Sequence, residues 1–368
     1  MRPAALLLAS LLALGASAAR AQYTFTLVAD DGSPTFSSFG VPSINNAGTA
    51  AFFASLDLGG VGIFTRANGA TTTITRGGVL GGAPGINTAG TVAFMAIRDS
   101  GFGIYTGAGG ATTPIAESSS ASFTGLDLYP INTGGTVAFV TTPHAGGDVI
   151  LTGAGGGTTT IADTNGPTFS SVVSGLSINT AGTVAFRANL DAGGNGIFTG
   201  AGGATTTIAD TNGPTFSSFF GDPSINAAGT VAFRASLDAG GEGIFTGAGG
   251  GTTTIAAQPT FSNFLGSPSI NAAGMVAFQA TLSGSQGIYL GDGETATEVI
   301  GMGDTLFGSI VNALSFGPQG LNDADQLVFR YRLYNGRSGI AVASPIPEPS
   351  GALLLAAAGG TLLLRRRR

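Results

Sequence analysis

Apolar residues recur at every second position along most of the chain, in short runs separated by glycine-rich turns, and this alternation predicts short β-strands. The clearest stretch is Thr183 to Leu190, TVAFRANL. Val184 and Phe186 fall on one face of that strand, and Ala185 and Arg187 on the other. A short apolar piece, Thr168 to Ile178, precedes it. Two further strands follow at Gly196 to Thr199 (GIFT) and Thr205 to Ala209 (TTTIA), the last rich in β-branched residues.

The pattern is periodic. An Asn, a Gly three residues on and a Phe four residues after that form a frame that occurs seven times. The Asn residues are Asn45, Asn87, Asn132, Asn179, Asn226, Asn271 and Asn322, and the Phe residues are Phe52, Phe94, Phe139, Phe186, Phe233, Phe278 and Phe329. Asp325 stands in the last copy where the other six have Gly. Successive Asn residues are 42, 45, 47, 47, 45 and 51 residues apart. Four short strands per repeat of that length are the pattern of a propeller blade. The Asn-x-x-Gly unit suits a hairpin whose Asn side chain closes an Asx turn and whose Gly is left-handed. Asp also enters that conformation more readily than most residues.

The ends of the array predict how it closes. The last copy has strands at Gln326 to Leu333 and Gly339 to Ala343, and Pro345 follows in place of a fourth strand. Near the start, Tyr23 to Ala29 is a strand followed by a segment that matches Ala209 to Phe219, which follows a fourth strand. The expected fold is therefore an all-β, seven-bladed propeller of four-stranded blades, with the N-terminal strand completing the last blade. Closure of that kind removes the open edges of a linear array. The Phe residues are expected to wedge between neighbouring blades, opposite Ala and Thr.

Composition narrows the chemistry. The chain has 368 residues, 63 of them Gly and only 9% charged. It has no Cys, so disulfides, thiolate metal sites and Cys nucleophiles are excluded. All 14 basic residues are Arg, and six of these (Arg2, Arg20, Arg365, Arg366, Arg367 and Arg368) lie in the terminal segments. The remaining eight face 20 acidic residues, which argues against nucleic acid as a partner, since phosphate binding needs a basic surface.

The termini read as sorting signals. Residues 1–21 have an early Arg, an apolar run and small residues at a cleavage position, as in a secretory signal peptide. The propeller is then expected over 22–344. Residues 345–368 contain Pro347, Glu348 and Pro349, an apolar run from Gly351 to Leu364, and four terminal Arg. That run is short for a permanent span, and the Arg cluster would keep its end on the cytoplasmic side.

Two resemblances follow from these residues. The tail resembles a PEP-CTERM sorting signal, which implies export in a Gram-negative bacterium, transient inner-membrane anchoring by a C-terminal transmembrane helix, and cutting by an exosortase-type enzyme. The body resembles the tandem-repeat proteins named for NxxGxxAF, from Asn45 to Phe329. That likeness implies a surface location and supplies no enzymatic activity.

Candidate chemistry is sparse. The single His, His144, is weak on its own as a ligand or base. No Gly-x-Ser-x-Gly elbow is present, and the Gly-rich pieces lack the Lys of a phosphate loop. Arg187, Arg234 and Arg330 follow the blade Phe and are expected to pair with acids. Asp57, Asp99, Asp191 and Asp238 each lie five residues after that Phe, while Asp30, Asp163 and Asp210 end fourth strands. The connections carrying these two sets should emerge on one face. Asp before Gly is ordinary turn chemistry, and weak Ca²⁺ binding or contact with a basic partner is the functional alternative. The reading is a non-catalytic surface or matrix protein without a cofactor, binding polysaccharide or envelope protein through a propeller face. The alternatives are a propeller enzyme acting on envelope polysaccharide through paired acids, or a purely structural protein.

Overall fold

A computed structural model of the chain describes residues 23–347, apart from 79–81, 99–100, 118–122, 128–129 and 144–145. The expected leader, the tail from Glu348 onward, Asp99 and His144 lie outside the described residues. The strands assemble into seven antiparallel sheets. These are the seven blades, and the fold is a seven-bladed β-propeller. Blade four shows the plan: Phe169–Ile178 innermost, then Val184–Leu190, Asn195–Gly200 and, outermost, Thr206–Asp210.

Two blades depart from the four-strand count. In blade one the inner strand is split into Phe36–Phe39 and Ser43–Ile44, both paired with Ala50–Leu56. Blade seven gains a two-residue strand, Thr305–Leu306, which makes a hairpin with the inner strand Ser309–Ser315. That hairpin falls within the longest of the six spacings.

Both faces of every second strand are buried, which explains the repeat. In blade four, Val184, Phe186 and Ala188 pack against Ala138, Ile150 and Ile161 of blade three, while Ala185 packs into the next cluster beneath Phe233 of blade five. Phe52, Phe94, Phe139, Phe278 and Phe329 repeat this arrangement at the other five junctions. Burying each ring stabilises by about 1.5–3 kcal/mol, and the residue opposite leaves room for it: Ala at six junctions and Val328 opposite Phe52. Phe169 and Phe198 complete an aromatic triad with Phe186, their ring centres 5.0–5.8 Å apart.

Closure follows the expected route. Tyr23–Asp30 pairs antiparallel with Ser338–Pro345, from Tyr23 opposite Pro345 to Asp30 opposite Gly339. Val28 and Ala29 enter the cluster beneath Phe52, so the N-terminal strand also packs between the last blade and the first. Polar groups fasten the end of the pairing. Asp30 forms an ion pair with Arg337, and Asp31 accepts from the Ser338 amide at 2.9 Å and its hydroxyl at 2.7 Å.

The repeated Asn supplies a second, central closure. In blade five the Oδ1 of Asn226 accepts from the Ala228 amide at 3.1 Å and the Thr230 amide at 3.0 Å, forming the expected Asx turn. Its Nδ2 donates to the carbonyl of Asn271, the equivalent residue of the next blade, at 3.1 Å. Asn45 donates in the same way to Asn87 at 2.8 Å, Asn179 to Asn226 at 3.3 Å and Asn271 to Asn322 at 3.5 Å. Asn322 donates to Asn45 at 3.0 Å, which joins the last blade to the first. The turn geometry is as expected: Gly182 has φ 84° and Asp325 has φ 55°.

Deleting Tyr23 to Ala29 should leave blade seven without its outer strand and lower the thermal midpoint of the whole domain. An unchanged midpoint would show that the ring does not depend on this strand.

Asn226→Ala should destabilise by about 1–3 kcal/mol, because two turn amides lose their acceptor and the Asn271 carbonyl keeps only the Gly274 amide. Asn226→Asp keeps the turn acceptors but sets a carboxylate oxygen against the Asn271 carbonyl. Burial and that carbonyl would raise its folded pKa above the unfolded value, so its deficit should shrink as pH falls from about 7 to about 4. Chemical denaturation across that range measures the difference from the native chain; a deficit independent of pH would contradict the cross-blade bond.

Candidate functional site

The residues on either side of each repeated Asn shape one mouth of the central channel. The residue before it is aliphatic in all seven blades, from Ile44 to Leu321, and buried in each. The residue after it sits at the turn: Asn46, Thr88, Thr133, Thr180, Ala227, Ala272 and Asp323. Together they form a cup of about 170 Å³ with an aliphatic wall and a rim of amides and hydroxyls.

Pro318 and Gln319, from blade seven, lie across the channel and line both this cup and a second cavity of about 150 Å³ beyond it. The crossing segment is tied to three other blades. The Gln319 carbonyl accepts from the Ile44 amide at 3.0 Å, and the Pro318 carbonyl accepts from the hydroxyls of Ser224 at 2.9 Å and Ser269 at 3.0 Å.

The second cavity is walled by Pro42, Pro84, Pro130, Met95 and Leu176, with Asp222 as its acidic residue. It is narrowed by bulges in the inner strands of blades four and five, where the register breaks between Val172 and Leu176 and between Phe220 and Ser224. These bulges touch across the blade boundary. A side chain on Gly175 (φ 82°) would collide with Asp222.

The arginines serve different ends. Arg187 was expected to pair with an acid, but its guanidinium donates to two carbonyls, Phe219 at 2.5 Å and Val173 at 3.4 Å. The physical reason is that an inner strand has a ladder partner on one side only, so its carbonyls need other donors. Burial pushes the Arg187 pKa below its usual value, and the charge of Asp222 opposes that shift. Arg234 does pair with an acid, Glu242, and also lies over the Phe220 ring at 5.0 Å. Arg330 is exposed.

At the rim of the cup, the carboxylate of Asp323 accepts from the Ala272 amide at 2.8 Å and from Asn46 Nδ2 at 2.5 Å. The Asp323 amide in turn donates to Asn46 Oδ1 at 3.0 Å. Asp325 stands nearby and accepts from Asn271 Nδ2 at 2.7 Å. Burial raises the Asp325 pKa; the Asn271 bond opposes this, and the Asp323 charge adds to it.

The acidic loops do emerge together on the opposite face. The amides of Asp57, Asp191 and Asp238 donate to the carbonyls of Thr35, Thr168 and Thr215, which precede the inner strands. The three Asp side chains are exposed and belong to three different blades. Asp163 and Asp210 close turns on Asn165 and Asn212 at 2.8 and 2.9 Å. Among the described residues, no group of three or more His, Asp or Glu side chains gathers closely enough to hold a metal ion.

Sequence reasoning found the Asn residues as turn formers and missed the channel that they ring. The available signal was the aliphatic residue before every Asn, constant in type across all seven copies. The crossing Pro318–Gln319 segment had only the departure of the last copy from the Ser-Ile-Asn pattern to mark it.

Solved structures match the fold. The β-propeller domain of the trilobed protease from Pyrococcus furiosus aligns with TM-score 0.54 at 11% identity, over 86% of this chain and 97% of that one. Pyrococcus horikoshii acylaminoacyl peptidase gives 0.54 at 10% identity, over 87% and 53%. A Mycobacterium tuberculosis puromycin-hydrolyzing peptidase gives 0.56 at 12%, over 80% and 50%. This chain spans about half the length of the latter two peptidases, and likeness at such identities establishes the fold alone. No curated protein matches the sequence. A family model does match, over residues 31–353, and the chain belongs to that family, the family of unknown function DUF7453.

Proposed function

We propose that the protein is an exported, non-catalytic propeller that binds polysaccharide at the cup ringed by the repeated Asn residues. The observation that carries this reading is the make-up of the cup: turn amides and Thr hydroxyls around an aliphatic wall, contributed by the same positions of all seven blades. A sugar presents the matching surfaces, hydroxyls at its edge and C–H groups on its faces. The rival reading, hydrolysis of an envelope glycan, would need two acids flanking one bond about 5–10 Å apart. Asp57, Asp191 and Asp238 stand singly on separate blades, so binding is the better supported role. A glycan array probed with the purified full chain should give saturable binding to a restricted set of glycans, abolished by bulky substitution at Thr133 or Thr180. Absence of binding to any glycan would reject the proposal and favour a protein partner or a purely structural role.

Export and processing belong to the same proposal. The support is the leader-like pattern of residues 1–21 and the Pro347-Glu348-Pro349, apolar and Arg segments of the tail. No helix among the described residues is long and apolar enough to cross a membrane. At 1.5 Å per residue the apolar run of the tail, Gly351 to Leu364, would cover about 21 Å of a roughly 30 Å hydrocarbon core, enough for temporary anchoring before an exosortase-type enzyme cuts it. Intact-mass measurement of the protein from its native envelope should show both ends trimmed, the leader near Gln22 and the tail near Pro345 to Pro349. Retention of Arg368 on the bulk of the surface-exposed protein would instead indicate a permanent anchor.

A further inference from the structure

The rim of the cup contains donors that the protein does not use. At each blade the residue after the repeated Asn contributes a backbone N–H. In blades six and seven these donors are taken: the Ala272 amide by the Asp323 carboxylate at 2.8 Å, and the Asp323 amide by Asn46 Oδ1 at 3.0 Å. Among the described residues, no acceptor reaches the amides of Thr88, Thr133, Thr180 or Ala227, or that of Asn46. All five residues line the same cavity and are exposed at its mouth.

The turn geometry explains why these donors are spare. Asn179 Oδ1 takes the amides of Ala181 and Thr183, and the Asn179 carbonyl takes that of Gly182. The Thr180 amide, at the second position of the turn, has no role within it. A backbone N–H left open at a concavity can take an anion, as the Ala272 amide takes the Asp323 carboxylate.

Blade seven shows which chemistry the position accepts. Asp323 occupies the equivalent position in its own repeat, and its side-chain oxygen satisfies the amide of the preceding blade. Thr133, Thr180 and Ala227 carry no carboxylate with which to do the same for the blades before them.

We infer that the arc of spare amides from Thr88 to Ala227 holds the carboxylate of an acidic sugar, taking the place that Asp323 fills at the Ala272 amide. This deepens the polysaccharide reading and rests on it: the substrate class becomes a uronate-bearing glycan. The hydroxyls of Thr88, Thr133 and Thr180 lie at the same rim to meet the sugar's own hydroxyls.

Proline provides a test, because the second position of such a turn favours Pro; replacing Thr there removes the unused N–H together with the rim hydroxyl, and the neutral probe reports the loss of the hydroxyl separately. The full chain would be titrated calorimetrically with a hexuronate oligosaccharide and with a neutral hexose oligosaccharide of the same length. The native protein should prefer the hexuronate roughly tenfold or more, as a charge-assisted hydrogen bond supplies. Thr88→Pro combined with Thr133→Pro, Thr180→Pro and Ala227→Pro should remove that preference with an unchanged or raised thermal midpoint. Thr180→Asp, which offers the Thr133 amide an internal carboxylate, should remove it as well, and it carries the test if the proline variant fails to fold. A preference that survives in folded variants would place the carboxylate elsewhere and overturn the inference. Equal binding of the acidic and neutral probes would also overturn it, while leaving the polysaccharide reading intact. Binding of neither probe to the native protein, together with an empty glycan array, would remove both.

Discussion

A single amide side chain per repeat holds the centre of this molecule together. The Oδ1 of each Asn organises its own turn, and in five of the junctions the Nδ2 is seen donating to the same residue of the next blade. Local and non-local structure are thereby coupled through one residue, so a blade whose turn is misformed also loses its grip on its neighbour. Asn alone fits both tasks. Asp would provide the acceptors without the donor, and Ser is too short to serve two turn amides and a carbonyl at once. The bonds are modest one by one, about 1 kcal/mol net each. Their arrangement around buried aliphatic residues gives them consequence, since each accepting carbonyl already takes an amide of its own turn and the Nδ2 supplies its second donor from the neighbouring blade.

The ring sets the spacing at the axis, and the Phe–Ala alternation sets it further out. Phe186 reaches toward blade three while Ala185, one residue away on the opposite face, makes room for Phe233 of blade five. Every blade is thus a wedge to one neighbour and a seat for the other. This arrangement tolerates the near absence of charge, because the sheets bury both faces and need polar residues only at turns and outer edges. The outer strands manage their exposed edge without Lys. Each described outer strand of blades one to six breaks register with its neighbour, and such bulges discourage edge-to-edge pairing.

The architecture was legible from the sequence because its causes are local or periodic. Phe at a fixed offset from Asn-x-x-Gly reports a half-turn alternation, and an unmatched strand at each end of the array, Tyr23 to Ala29 and Gly339 to Ala343, implied the closure. The candidate site was legible only in part. The cross-blade donation of Asn226 Nδ2 depends on a partner 45 residues away, and nothing in the turn motif distinguishes an Asn that makes it from one that does not. The carbonyl acceptors of Arg187 were not legible, because sequence does not mark backbone carbonyls. The acidic set was drawn to Asp by composition, whereas the polar groups at the cup are mostly backbone amides that every residue except Pro carries.

The seventh repeat is where symmetry gives way. The longest spacing, the additional hairpin at Thr305–Leu306, the Pro318–Gln319 crossing, and both Asp323 and Asp325 all belong to it or lead into it. Its turn carbonyl accepts from blade six, its Asn322 donates to blade one, and its Asp323 occupies the amide donor that the earlier blades leave open. A perfectly repeated ring would offer seven identical turns and no reason for a ligand to settle at one of them. The last repeat crosses the channel and fills the Ala272 donor, and Asn46 of blade one fills the Asp323 donor, so the remaining arc is unique and a sevenfold scaffold becomes one asymmetric site.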